Sequence, residues 1–143
     1  MVKISISYKF SGEDPEIIEK NLGLIRNLLE EKGFEVFSTF WKSDYYKKNN
    51  FNHTEIIKDF LSNLNESDIQ FVFDNSQEKS EGLFIETGYA YAKKKYIILA
   101  IRDNVKRNFL EDLANEVIKF SSIEDLKNKL KKLKIIWQNM KHS

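Results

Sequence analysis

The sequence predicts an α/β fold, a doubly wound, five-stranded parallel sheet with helices on both faces. Short runs rich in Val, Ile and Phe alternate with longer segments of 3.6-residue apolar period, and the alternation begins at the first residues. The run from Tyr96 to Ile101 is apolar almost throughout, as a central strand covered on both faces must be. Polar stretches carrying Gly, Asn or Ser separate the runs.

Val2 to Tyr8 reads as the first strand. Asp14 stands as an N-cap before Pro15, which a first helical turn tolerates because its missing N–H would have no partner there. Ile17, Ile18, Leu22, Ile25, Leu28 and Leu29 then form one apolar stripe, and Gly33 ends the helix. Phe34 to Phe40 reads as a second strand and the polar stretch Lys42 to Asn52 as a loop. Ile56, Ile57, Phe60, Leu61 and Leu64 have helical spacing, and Asp68 to Asp74 is the third strand. After polar residues 75–82 a helix is expected from Leu83 to about Lys94, then the strand Tyr96 to Ile101, a weak helix at Phe109 to Leu113, a strand at Glu116 to Phe120 and an amphipathic helix from about Ser122 to Trp137. Right-handed crossovers arrange these most simply in the flavodoxin-like order 2-1-3-4-5. Residues 1–138 form one domain, and the tail after Asn139 is expected to be disordered.

Composition narrows the function. Lys+Arg total 23 against Asp+Glu 22, a formal charge of +1, so no global field draws the protein to a nucleic-acid polymer or an anionic membrane. The lysines at 127, 129, 131, 132 and 134 read as one solvated helix face. With no Cys, disulfides, thiolate nucleophiles and thiolate-bound metals are excluded. His53 and His142 lack metal-site spacing, so neither a metal nor a cofactor is expected. No apolar run reaches the length of a membrane span and the first residues open a strand rather than a signal peptide, so a cytoplasmic location is expected.

Ligands of such sheets bind at the carboxyl ends of the strands, beside strands one and three. The residues after strand one (Ser7, Tyr8, Lys9) and those from Asp74 to Glu86 should therefore share a crevice. Glu86, placed in about the first turn of its helix, is expected to be ionised by the unpaired N–H groups and the helix dipole. Ser80 and Gly82 precede that helix, where a hydroxyl and an unobstructed backbone N–H can hold an anionic oxygen. The plainer reading is that Ser80 caps the helix and Glu86 complements its dipole.

The run Glu86-Thr87-Gly88-Tyr89-Ala90-Tyr91-Ala92, followed by Lys95 and an apolar strand, resembles the Glu-x-Gly-x-Ala-x-Ala signature of nucleoside 2-deoxyribosyltransferases and the related 2'-deoxynucleoside 5'-phosphate N-hydrolases. Ser67-Asp68 opening the third strand fits the same pattern. The resemblance implies that Glu86 is the nucleophile on the anomeric carbon of a nucleotide or nucleoside substrate and that the protein is a homodimer or larger. Ser80-x-Gly82-x-x-x-Glu86 is similar to the N-hydrolase spacing, in which the serine contacts a 5'-phosphate, and Ser7-Tyr8-Lys9 resembles their Ser-x-Arg, with a lysine in place of the arginine fork. A phosphorylated substrate follows. The family's acid/base aspartate lies eight residues before the aspartate that opens strand three; Asp59, nine before Asp68, is the candidate here, or else faces away.

Asn108 resembles a polar position that reaches a neighbouring subunit's site, or is a solvated loop residue. Phe40 and Trp41 stack on the base or close the core. Two rival readings remain. Ile6 to Asp14 also resembles the first box of Toll/interleukin-receptor domains, some of which cleave NAD, and a non-catalytic nucleotide-binding module is the third possibility.

Overall fold

The computed structural model describes residues 1–134. The last helix, expected to run to about Trp137, ends at Lys131 with Lys132 as its C-cap, so it is shorter than expected; Trp137 itself and the expected tail lie outside the described residues. Five parallel strands, β1 (Lys3–Tyr8), β2 (Glu35–Phe37), β3 (Ile69–Asp74), β4 (Tyr96–Arg102) and β5 (Glu116–Phe120), lie in the order β2-β1-β3-β4-β5. Helices α1 (Pro15–Glu31) and α6 (Ile123–Lys131) cover one face; α3 (His53–Asn65), α4 (Glu81–Ala92) and α5 (Asn108–Leu113) cover the other.

Strand pleating decides which side chains meet which helices. Ile4 and Ile6 of β1 join the core under α1 and α6, whereas Ser5 and Ser7, buried on the opposite face, look toward α3 and α4. β3 and the first six residues of β4 are buried at every position, which accounts for the unbroken apolar run of β4. Helix α1 begins on Asp14, whose side chain accepts from Glu16 N. It ends in a Schellman motif: Phe34 N bonds to Leu29 O and Gly33 N to Glu30 O, with Gly33 at φ +93°. Helix α3 starts three residues earlier than its apolar stripe, because Asn52 and Glu55 form a reciprocal capping box.

The structure departs from the sequence expectation between residues 34 and 52. β2 is only three residues long, a short edge strand that pairs with β1 over Lys3–Ser5. Ser38 then accepts from Phe40 N and turns the chain into a 3-10 turn, Thr39–Lys42. The expected loop contains α2 (Ser43–Lys48). That helix has no apolar stripe; only Tyr46 is buried, in an aromatic cluster with Tyr45 and Phe51 whose ring centroids are 5.2–5.9 Å apart. Periodicity has nothing to detect in so short and polar a segment. No helix among the described residues is long and apolar enough to cross a membrane.

Candidate active site

The crevice on the α4 side of the β1 carboxyl end collects Glu86, Ser7, Tyr8, Ser80 and Gly82. Glu86 sits one turn deeper in α4 than expected: Glu81 is the acidic residue of the first turn, and Glu86 lies beyond the unpaired N–H groups. Its carboxylate folds back toward the helix start. A Cβ added at Gly82 would lie 3.8 Å from Glu86 Oε2 and 3.7 Å from Ser80 Oγ, so the missing side chain of Gly82 keeps the space between those two groups open. Ser80 also caps α4, accepting from Leu83 N at 3.3 Å.

Burial pushes the Glu86 carboxyl up to about 8, and a hydrogen bond from the Ser7 hydroxyl partly opposes the shift. This corrects the expectation of a carboxylate ionised by the helix dipole, because desolvation outweighs a dipole whose influence fades after the first turn. Glu86 is therefore largely protonated at neutral pH in the free protein. Behind it runs a directional relay: the Gln70 amide donates to Ser7 Oγ at 2.9 Å, and Ser7 in turn donates to Glu86. Gln70, fully buried in β3, stood unremarked within the strand; its signal was a long polar side chain in an otherwise apolar run.

Tyr8 closes the crevice from β1. Its hydroxyl hydrogen-bonds with Thr39, and its ring meets Phe40 edge-on at 6.0 Å. Burial raises the phenol to about 12; Thr39 opposes that shift and the charge of Glu86 adds to it. Tyr8 in turn bears electrostatically on Tyr46 of α2, which donates to Asp59 Oδ2 at 2.6 Å. Lys42 reaches the same oxygen at 2.7 Å and lies over the rings of Tyr45 and Tyr46.

Burial would raise the Asp59 carboxyl, but hydrogen bonds from Lys42 and Tyr46 and the charge of Lys42 outweigh it, and the net shift is downward. Asp59 is thus held as an anion between Lys42 and Tyr46. Lys42, Thr39 and Tyr46 were missed because they occupy the segment whose structure the sequence concealed.

Lys9 does not reach into this crevice. Its ammonium bonds to the Ser11 carbonyl and lies 3.4 Å from Glu13, one helical turn on. The turn that makes this possible runs from Phe10 to Glu13 with Gly12 at φ +77°. Trp41 packs on the α1 side, under the Arg26 guanidinium 4.5 Å from its ring, so the core reading describes its place. Asn108 is exposed at the start of α5. Next to it, Arg107 is buried against Asp74, and its Nη2 lies 2.7, 3.0 and 2.9 Å from the carbonyls of Ser76, Gln77 and Glu78. Arg107 thereby shapes the loop that delivers Ser80 and α4.

No family model and no curated protein sequence matches the chain. Solved structures do match. The CMP N-glycosidase BcmB of Clostridium botulinum is 22% identical with a TM-score of 0.67, over 92% of this chain and 99% of its own. A 2-deoxyribosyltransferase of Bacillus psychrosaccharolyticus is 20% identical with a TM-score of 0.62, over 89% and 91%.

The chain has their fold. The response regulator TrrA of Thermotoga maritima, 23% identical with a TM-score of 0.53 over 92% and 98%, shares it more distantly, so activity has to be argued from the site.

Proposed function

We propose that the protein is an N-glycosidase that cleaves the base–sugar bond of a nucleoside 5'-monophosphate, passing the sugar to water or to another base. The observation that carries this reading is Glu86, a poorly hydrated carboxyl backed by the Gln70–Ser7 relay and facing the open space above Gly82. Its likeness in fold to a CMP N-glycosidase and to a 2-deoxyribosyltransferase supports it.

Glu86 attacks the anomeric carbon as the carboxylate. The C–N bond breaks, its electron pair leaves with the base, and a water held by anionic Asp59 gives the base a proton, which leaves a hydroxide beside Asp59. That hydroxide, or a second base that gives its N–H proton to it, then forms the new bond to the anomeric carbon, displaces Glu86 from the glycosyl ester and restores the free carboxylate. Desolvation that keeps Glu86 neutral in the free protein strengthens its attraction to the positive charge growing on the sugar, because the same low-dielectric surroundings weaken screening. The phosphate lies at the start of α4, against Ser80 and the N–H groups of Glu81 and Gly82. Lys9 joins it only by releasing Glu13.

We also read the protein as a homodimer or larger. The outer face of helix α4 is mostly apolar beyond Glu81: Ile85 and Tyr91 are 49% and 59% exposed, and Phe109 on adjoining α5 is 77% exposed. A second copy would cover this face and bring Asn108 to its neighbour.

The deciding experiment is chromatography of bases released from ribo- and deoxyribonucleoside 5'-monophosphates, with and without an acceptor base. Release that disappears in Glu86→Ala is expected, and undiminished release in that variant would overturn the assignment.

A further inference from the structure

β3 needs no polar side chain at Gln70. The residue is fully buried, second in its strand, with Ser5 of β1 and Ile97 of β4 beside it in register. Its Nε2 donates to Ser7 Oγ at 2.9 Å and reaches Thr87 Oγ1 at 3.4 Å. Its Oε1 has no hydrogen-bond partner among the described residues. A buried carbonyl left unpaired opposes folding, and a methionine or leucine would fill the same space without that penalty. A side chain that the fold would do better without points to a use elsewhere.

The contacts of the amide indicate the use. Ser7 lies on β1 and Thr87 follows Glu86 in α4, so one side chain ties together the two elements that carry the hydroxyl and the carboxyl. The Ser7 hydroxyl has a single proton. Because Gln70 occupies a lone pair of Ser7 Oγ as a donor, that proton has no acceptor in the amide nitrogen and is left for Glu86. The opposite orientation of the amide would set Oε1 against Ser7 and draw the same proton away from Glu86. The orientation present orphans one oxygen and delivers the proton to the reacting group.

We propose that Gln70 is a positioning residue: its amide, by donating to Ser7, commits the Ser7 proton to Glu86 and so fixes the carboxylate that attacks the sugar. The part played in base release rests on the N-glycosidase reading; the direction of the hydrogen bonds does not.

The test follows the Glu86 carboxyl carbon by NMR titration in wild type, Gln70→Met, Ser7→Ala and the double variant, with Glu86→Gln identifying the signal. The wild-type midpoint is expected at about 8. Tyr8, facing Glu86 from β1, stays un-ionised there because burial holds its phenol at about 12, and Asp59 of α3 is ionised far below it. Gln70→Met should move the midpoint up by about 0.5 pH units, as loss of one polarising hydrogen bond would. Ser7→Ala should move it at least as far, and the double variant no further than Ser7→Ala, because Gln70 acts only through Ser7. The rise of kcat/KM for base release should shift in parallel in Gln70→Met, a loss of about threefold at pH 7.

The unfolding midpoint of Gln70→Met at pH 5, where Glu86 is neutral, should equal or exceed that of wild type. Gln70→Leu, read in the same way, takes its place if the methionine variant does not fold; failure of both to fold assigns the amide to packing and overturns the proposal. An unmoved titration in Gln70→Met overturns it, as does a shift in the double variant beyond that of Ser7→Ala. So does a release profile that stays fixed while the titration moves. Absence of base release from every monophosphate in wild type overturns the N-glycosidase reading and the part Gln70 plays in it, while the titration still decides the direction of the relay.

Discussion

Arg107 and Asp74 form a buried ion pair, Nε to Oδ2 at 3.1 Å, with their side chains 5% and 1% exposed. Burial pushes the Asp74 carboxyl up, while the Arg107 charge, the Ser76 backbone and Lys9 oppose it. The pair sits under the loop joining β3 to α4, so it sets where Ser80, Gly82 and Glu86 begin. Arg107→Met should cost about 3–5 kcal/mol in urea unfolding, because it strands Asp74. Arg107→Lys keeps the charge but cannot span the three carbonyls. It should recover part of that stability and still show a raised KM for a phosphorylated substrate.

Glu86 dictates a pH dependence with a definite sign. Its carboxyl is raised from 4.5 to about 8 on folding, so protonation favours the folded state. That stabilisation is complete below about pH 4.5 and is lost as pH rises through about 8. Thermal unfolding of wild type should therefore weaken between pH 5 and 8 relative to Glu86→Gln, with the gap widening as pH rises. If the carboxylate attacks, kcat/KM for base release should climb about tenfold per pH unit and level off near pH 8. A profile that falls through that range would make Glu86 a proton donor.

Gly82→Ala separates stability from activity. The added methyl meets Ser80 Oγ and Glu86 Oε2 only at ordinary contact distance, and alanine favours the helix by up to about 1 kcal/mol over glycine. The unfolding midpoint should hold or rise. Base release should fall at least tenfold, because the methyl takes the space in which the sugar must approach Glu86.

Asp59→Asn removes the charge that Lys42 and Tyr46 hold while keeping the side chain's shape. The site is partly exposed, so the stability loss at neutral pH should stay within about 1 kcal/mol. It should disappear as acid takes the wild-type carboxylate through its lowered titration range. Base release should drop about 10²- to 10⁴-fold, measured at saturating substrate.

Ile85→Glu and Phe109→Glu place charges on the apolar face of α4 and α5. Light scattering on size-exclusion fractions should show wild type as a dimer or larger and the double variant as a monomer of unchanged helicity. A wild-type monomer would count against the oligomer.

The order of strands and helices, α2 excepted, was legible because it follows from local periodicity: the stripe from Ile18 to Leu29 and the apolar run of β4 need no knowledge of distant residues, and right-handed crossovers then give the sheet order. Glu86, Ser80 and Gly82 could be read together because they fall within seven consecutive residues around the start of α4, although the sequence put Glu86 one turn too near that start. Tertiary structure decided the rest. The Gln70–Ser7 bond joins residues 63 apart in sequence and the Arg107 clamp spans about 30, so neither has a local signature. Lys9 and Trp41 lie where the chain turns at strand ends, and there the side chain's direction depends on Glu13 and Arg26, not on alternation. Protonation states follow the same logic. Whether a carboxyl such as Glu86 or Asp59 is neutral or charged depends on the water that packing removes and the donors that packing supplies, and both are properties of the folded neighbourhood.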